Sequence, residues 1–215
     1  MAYSVTNFWL VPAHFSVLFF LGGLGAAGLL LASAAVLGLL GRRRFAAGLA
    51  AAGASVPALY LAVLLAVGRS TPERTIAVGR GKWLCDLDCH LVYSVSEVGF
   101  APDVSGRRVV RIVTHFDETT VAPWRGDAPL SRCPGTVELV DGKGRRFPTV
   151  TPGGPEIFGG PLRPGESREA DLAFDVPADA RGLRLWVGVA EWPARLLIGS
   201  ENAPLAGKAL LALPF

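Results

Sequence analysis

The hydrophobic pattern changes character once along the 215 residues. Residues 1–41 contain no Lys, Arg, Asp or Glu, residues 45–68 again contain none, and only Arg42-Arg43-Arg44 separates the two tracts. Neither tract has a polar face, so neither reads as the surface helix of a soluble core. About 20 helical residues cross the ~30 Å hydrocarbon layer of a bilayer, and both tracts reach that length. The pattern therefore predicts a two-helix transmembrane hairpin over residues 1–74, with spans at about 15–40 and 45–68.

From Trp83 onward the period becomes two. Trp83, Cys85, Leu87, Cys89, Leu91, Tyr93 and Val95 alternate with Asp86, Asp88, His90, Ser94 and Ser96, which predicts one long half-buried strand. A second strand places Val110, Ile112, Thr114 and Phe116 inward, with Arg111 and His115 outward. Further strands are expected at 136–140, closed by an Asp141-Gly142 turn, at 169–176 with Ala170, Leu172, Phe174 and Val176 inward, at 183–189 and at 208–213. Short strands divided by Gly/Pro turns, with no helical period between them, indicate an all-β sandwich over residues 75–215.

Charge sets the orientation. Short basic loops stay in the cytoplasm, so the arginine triplet places the N-terminus and the C-terminal domain outside. Tyr3, Trp9 and Trp83 then fit as interfacial aromatics. No basic stretch precedes the first tract, which argues against a cleaved secretory signal. The net charge of +3 mixes both signs in the polar part and does not imply nucleic acid. Small residues recur four apart, Gly22 with Ala26, Gly23 with Ala27, Gly48 with Ala52 and Ala51 with Ser55, a spacing that lets helices approach closely in lipid. These faces are expected to contact each other or the helices of a partner. Neither tract carries an ionisable side chain of the Asp, Glu, Lys or Arg type, so no ion path is expected between them, and Pro57 is a site for a kink. His14 reads as an interfacial side chain.

The segment Cys85-Asp86-Leu87-Asp88-Cys89-His90 carries the sharpest chemistry. It looks like a lengthened form of the c-type haem attachment sequence, which implies thioether links at Cys85 and Cys89, His90 as proximal ligand and His115 as the second axial ligand. On a continuous strand, however, the two cysteines would lie roughly 13 Å apart at ~3.3 Å per residue, with His90 on the other face. The same spacing excludes a Cys85–Cys89 disulfide, whose Cα atoms must approach within ~7 Å. The expectation is therefore core cysteines in an oxidising compartment, with Cys133 bridged to Cys85 or to Cys89 and the remaining thiol buried.

No Gly-x-Ser-x-Gly, His-Glu-x-x-His or phosphate-binding glycine loop is present. Asp86 with Asp88, and Asp117 with Glu118, are acid pairs on paper, yet they read more simply as strand-face and turn residues. Arg107-Arg108 and Arg145-Arg146 read as solvated charge. The tail from Arg195 to Phe215 is apolar enough to be a last core strand or to lie in a partner's groove.

Two resemblances bear on function. Residues 161–167, Pro-Leu-Arg-Pro-Gly-Glu-Ser, followed by Leu172-Ala173-Phe174-Asp175-Val176-Pro177 and Leu183-Arg184-Leu185, resemble the cadence of immunoglobulin-like or telokin-like domains of bacterial envelope proteins. The likeness implies an immunoglobulin-like antiparallel β-sandwich. Two helices followed by an external sandwich is also similar to cytochrome c oxidase subunit II. That family's copper motif is not reproduced, because Tyr93 stands where its histidine would be and Ser96 where its methionine would be. The expected protein is a non-catalytic accessory subunit of a bacterial inner-membrane complex, a respiratory or photosynthetic electron-transport assembly first, without metal or cofactor. Its expected partners are lipid and other subunits, met through the small-residue faces and the β-domain. The alternatives are an electron carrier with haem at Cys85, Cys89 and His90, and a free-standing envelope sensor.

Overall fold

The computed structural model describes residues 5–8, 13–85, 89–100, 106–131, 133–189 and 192–214; Tyr3, Trp9, Asp86, Leu87 and Asp88 lie outside the described residues. Contacts divide the chain into a β unit, Met1–Asn7 with Pro72–Ala194 and Gly207–Phe215, and a helical unit, Phe8–Thr71 with Arg195–Ala206. This grouping departs from a division at residue 74 in two places: the first residues join the β unit, and twelve residues late in the chain join the helices.

In the helical unit, α1 (Ala13–Leu39) and α2 (Arg43–Ser70) are both long and apolar enough to cross a membrane. Gly41, at φ +77°, reverses the chain between them, and Arg42 N–H closes the turn on Leu37 O at 2.9 Å. Where the helices meet, residues are small. Ala27 and Ala34 are buried on α1, and Gly53 is buried on α2 against Leu30 and Leu31. Pro57 is accommodated within α2. The segment Arg195–Ala206 is held by the helix pair through polar and apolar contacts together: Ser16 Oγ donates to Ile198 O, Tyr60 OH donates to Leu196 O, and Leu64, Ile198 and Ala203 form a buried cluster.

In the β unit, ten described strands build two five-stranded sheets. They are β1 (Val5–Thr6), β2 (Arg74–Ile76), β3 (Lys82–Trp83), β4 (Leu91–Phe100), β5 (Arg107–Phe116), β6 (Thr136–Val140), β7 (Arg146–Pro148), β8 (Ser167–Asp175), β9 (Arg184–Gly188) and β10 (Ala209–Ala212). One sheet runs β1-β3-β4-β5-β8, the other β2-β10-β9-β6-β7. All pairings are antiparallel except β1 with β3 and β2 with β10. The core lies between the sheets because alternate residues of each strand face it: Tyr93, Val110, Ile112, Phe116, Leu172 and Phe174 from one sheet pack with Val137, Leu139, Leu185, Val187 and Leu211 from the other.

The strands expected as β6 and β8–β10 are present with ends shifted by at most two residues, and the alternation expected for β5 and β8 is kept, whereas nearly every residue of β9 and β10 is buried. The single strand expected across residues 83–95 is not formed. The chain leaves β3 after Trp83, turns, and re-enters the same sheet as β4 at Leu91, antiparallel to β3, with Lys82 opposite Tyr93 and Trp83 opposite Val92. The two arms are out of phase with a continuous strand: Lys82 shares the core face with Tyr93, and Trp83, expected inward, lies with Val92 on the other face.

Candidate functional site

The turn between β3 and β4 gathers the chemistry that the sequence pointed to. Cys85 and Cys89 form a disulfide with Cα atoms 4.3 Å apart. Cys133 is free and exposed. The expected bridge from Cys133 to Cys85 or Cys89 is therefore incorrect, and the reason is the misread strand: reversal of the chain removes the ~13 Å separation that an extended run would impose.

Both ends of this turn are fixed independently of the sulfurs. Asn7 follows β1, which lies beside β3, and its carboxamide continues the ladder as a strand residue would: Oδ1 accepts from Cys85 N–H at 2.9 Å and Nδ2 donates to Cys85 O at 3.0 Å. Its backbone N–H bonds Trp83 O at 3.2 Å. At the other end, His90 O accepts from Asp117 N–H at 2.8 Å, so the β4–β5 ladder extends one residue beyond Leu91.

The imidazole of His90 is oriented by two contacts. It stacks on Phe116, with ring centroids 5.3 Å apart and planes inclined by 19°, and its Nδ1 lies 2.6 Å from Thr120 Oγ1. Thr120 Oγ1 has one proton, which it donates to Asp117 O at 2.7 Å. The hydroxyl thus links the ring to the Asp117 carbonyl, and with its proton directed at that carbonyl it is an acceptor for an N–H at Nδ1.

The structure brings Cys85, Cys89 and His90 onto one turn, as haem attachment would require, but the two sulfurs are bonded to each other. A disulfide and two thioethers use the same atoms, so the haem arrangement belongs only to the reduced chain. His115 is not gathered with the other three: it alternates with Phe116 on β5, faces the solvent side of the sheet and meets Ser167 Oγ at 2.9 Å. Among the described residues no group of three or more His, Cys, Asp or Glu is placed to hold a metal ion.

The remaining candidates have local partners. Asp117 caps the 3-10 turn that follows it, accepting from Thr119 N–H and Oγ1, while Glu118 belongs to the turn itself. Arg107 pairs with Asp175, and Arg111 pairs with both Asp171 and Glu97 across three strands. Those guanidinium groups hold Asp171 and Asp175 below the usual carboxylate range. Arg108 lies over the Phe100 ring at 3.6 Å, and Arg146 lies 4.9 Å from the Trp186 ring. His14 is exposed and tilted against Phe15. Trp83, expected at a lipid interface, is a β3 residue whose buried Nε1 has no hydrogen-bond partner among the described residues.

In the helical unit, the small residues divide into two sets. Gly23 looks toward Val56 and Tyr60, and Ala27 is buried, so this pair belongs to the contact between the helices. Gly22, Gly25 and Gly28 on α1 and Gly48 on α2 meet nothing within 4 Å, even with a Cβ added, and Ala26 and Ala52 are exposed. An apolar groove of about 410 Å³ lies elsewhere on the helical unit, between Phe19, Val56, Leu59, Val63 and Ile198.

Asn7 and Lys82 are the residues that the sequence did not announce. Lys82 is fully buried, with Nζ donating to Val187 O at 2.6 Å and to Ala209 O at 2.9 Å, and so links β3 to two strands of the facing sheet. A lysine in an alternating run offers no signal that its ammonium caps carbonyls 105 and 127 positions away.

No protein-family model matches the chain, and no curated protein matches it. Among solved structures the chain is similar to MPT63, a secreted protein from Mycobacterium tuberculosis, with a TM-score of 0.41 and 13% identity, over 55% of this chain and 91% of that one.

Proposed function

We propose that the chain is a non-catalytic accessory subunit of a bacterial inner-membrane complex. In this reading α1 and α2 are transmembrane, the arginine-rich turn is cytoplasmic, and the β unit, of immunoglobulin-like type, docks on partner subunits on the periplasmic side. The observation that carries the reading is the division of small residues in the helical unit. One set is consumed by the α1–α2 contact, while Gly22, Gly25, Ala26, Gly48 and Ala52 face outward with open space before them. In lipid, where apolar side chains gain nothing by leaving the solvent, close packing of such faces is what joins helices. A respiratory or photosynthetic electron-transfer assembly is the first candidate, on the two-helix-plus-sandwich layout alone.

The test is purification of the tagged protein from its native membrane in mild detergent, with mass analysis and an absorption spectrum. Stoichiometric membrane partners, lost in a Gly22→Leu/Gly25→Leu variant that keeps its helicity, are expected. Purification of the chain alone would favour a free-standing envelope module, and a covalent haem on Cys85 and Cys89 would make it an electron carrier.

A further inference from the structure

We propose that Cys85–Cys89 is a thiol–disulfide exchange centre, in which the Cys89 sulfur is the one attacked by an external dithiol and Cys85 is the resolving sulfur. Three observations support this assignment. First, the pair is four residues apart. Closing so short a ring removes little conformational freedom from the unfolded chain, so the bond contributes less to stability than one joining distant strands would.

Second, the two sulfurs are unequal. Cys85 is 2% exposed, whereas Cys89 is only partly buried. Exchange requires a thiolate to reach a sulfur, and access here favours one of the two.

Third, the residues at both ends of the pair are held by bonds that do not involve sulfur. Asn7 holds Cys85 through both backbone groups, and on the far side of Cys89 the His90 carbonyl and ring are held by Asp117 and Thr120. Opening the disulfide leaves its two ends tethered within reach of one another, the condition for a bond that opens and re-forms while the fold persists.

The chemistry balances with an external dithiol as reductant. Its thiolate attacks Cys89 Sγ, the Cys85–Cys89 bond breaks, and Cys85 leaves as a thiolate that takes up a proton. The second thiol of the dithiol, after losing its proton, then attacks its own sulfur in the mixed disulfide. Cys89 is released, and the dithiol departs oxidised by two electrons. The reverse sequence reduces a disulfide in a partner.

The experiment uses the full chain in mild detergent, carrying Cys133→Ser so that alkylation reports only the pair. Dithiothreitol is added at neutral pH, the reaction is stopped by alkylation and read by mass analysis, and near-ultraviolet circular dichroism follows the fold. The expected result is reduction at least about tenfold faster than global unfolding, with the spectrum unchanged and the bond restored by oxidised glutathione. With Cys85→Ser, oxidised glutathione should yield a mixed disulfide on Cys89. With Cys89→Ser, the adduct on Cys85 should form about tenfold more slowly or not at all. Reduction that only keeps pace with unfolding would overturn the proposal, as would equal reactivity of the two sulfurs. If either variant fails to fold, the reduction rate of the chain with both cysteines decides the matter alone.

Discussion

Asn7 pairs with Cys85 as though its side chain were another strand residue, accepting the Cys85 N–H and donating to the Cys85 carbonyl. Asn7 is 1% exposed, so neither group has an easy substitute in water. Replacing Asn7 by Ala strands two buried backbone groups, a loss of about 2 kcal/mol. Urea unfolding in detergent, followed by near-ultraviolet circular dichroism, measures it. Asn7→Asp should recover only part of the loss, since a carboxylate accepts from the N–H but cannot donate to the carbonyl.

Lys82 performs the complementary task between the sheets. Its stem crosses the core and its ammonium satisfies the Val187 and Ala209 carbonyls. Lys82→Met keeps the apolar stem but leaves those acceptors without this donor, and should cost about 3 kcal/mol in the same assay. A cost below about 0.5 kcal/mol would mean that both carbonyls find other donors once the lysine is gone.

Much of this architecture was legible in the sequence because burial leaves periodic traces. Val110, Ile112, Phe116, Leu172 and Phe174 are all inward, as their alternation requires, and the two uncharged tracts are helices. The turn at Cys85–Cys89 was not legible, since the apolar alternation from Trp83 to Val95 runs on through it although Lys82, not Trp83, shares the core face with Tyr93, and proximity of the cysteines depends on that turn. The parallel pairing of β1 and β2 was also hidden. Two- and three-residue strands carry no period, and their partners lie far along the chain. The tail held two elements where one was expected: Arg195–Ala206 belongs with the helices, and only Ala209–Ala212 is a core strand.

The two faces of the hairpin should respond oppositely to bulk. A Cβ on Gly53 would sit 2.9 Å from Leu31 Cγ and 3.3 Å from Leu30 Cβ, while one on Gly48 meets nothing. Gly53→Leu should therefore force the helices apart and cost about 1–3 kcal/mol. Gly48→Leu should be neutral or stabilising, because leucine has the higher helical propensity. Thermal unfolding in detergent, followed by far-ultraviolet circular dichroism, compares the two; equal destabilisation would show that the α1–α2 contact is not where Gly53 sits.

Acid should weaken the β unit in part through Asp141. This carboxylate is buried in the turn between β6 and β7, where Oδ1 accepts from the N–H groups of Lys143 and Arg145 at 2.9 Å each and Oδ2 accepts from Arg145 Nε at 2.7 Å. Burial alone would raise its pKa, but the Arg145 guanidinium and the two N–H groups outweigh that effect and hold it below the ordinary carboxylate value. A carboxylate depressed in the folded state contributes stability that is complete above its unfolded pKa, near about 4, and is lost as pH falls through the lower folded value. Asp171, Asp175 and Asp179 are shifted in the same direction, so the acid limb of the parent protein sums several groups. The difference between the parent and Asp141→Asn isolates one of them. That difference in urea midpoint should stay constant from pH 7 to about pH 5 and shrink progressively below about pH 4. A difference that stays the same down to pH 3 would mean that the turn is held by its hydrogen-bond geometry alone and that the charge on Asp141 adds nothing to the fold.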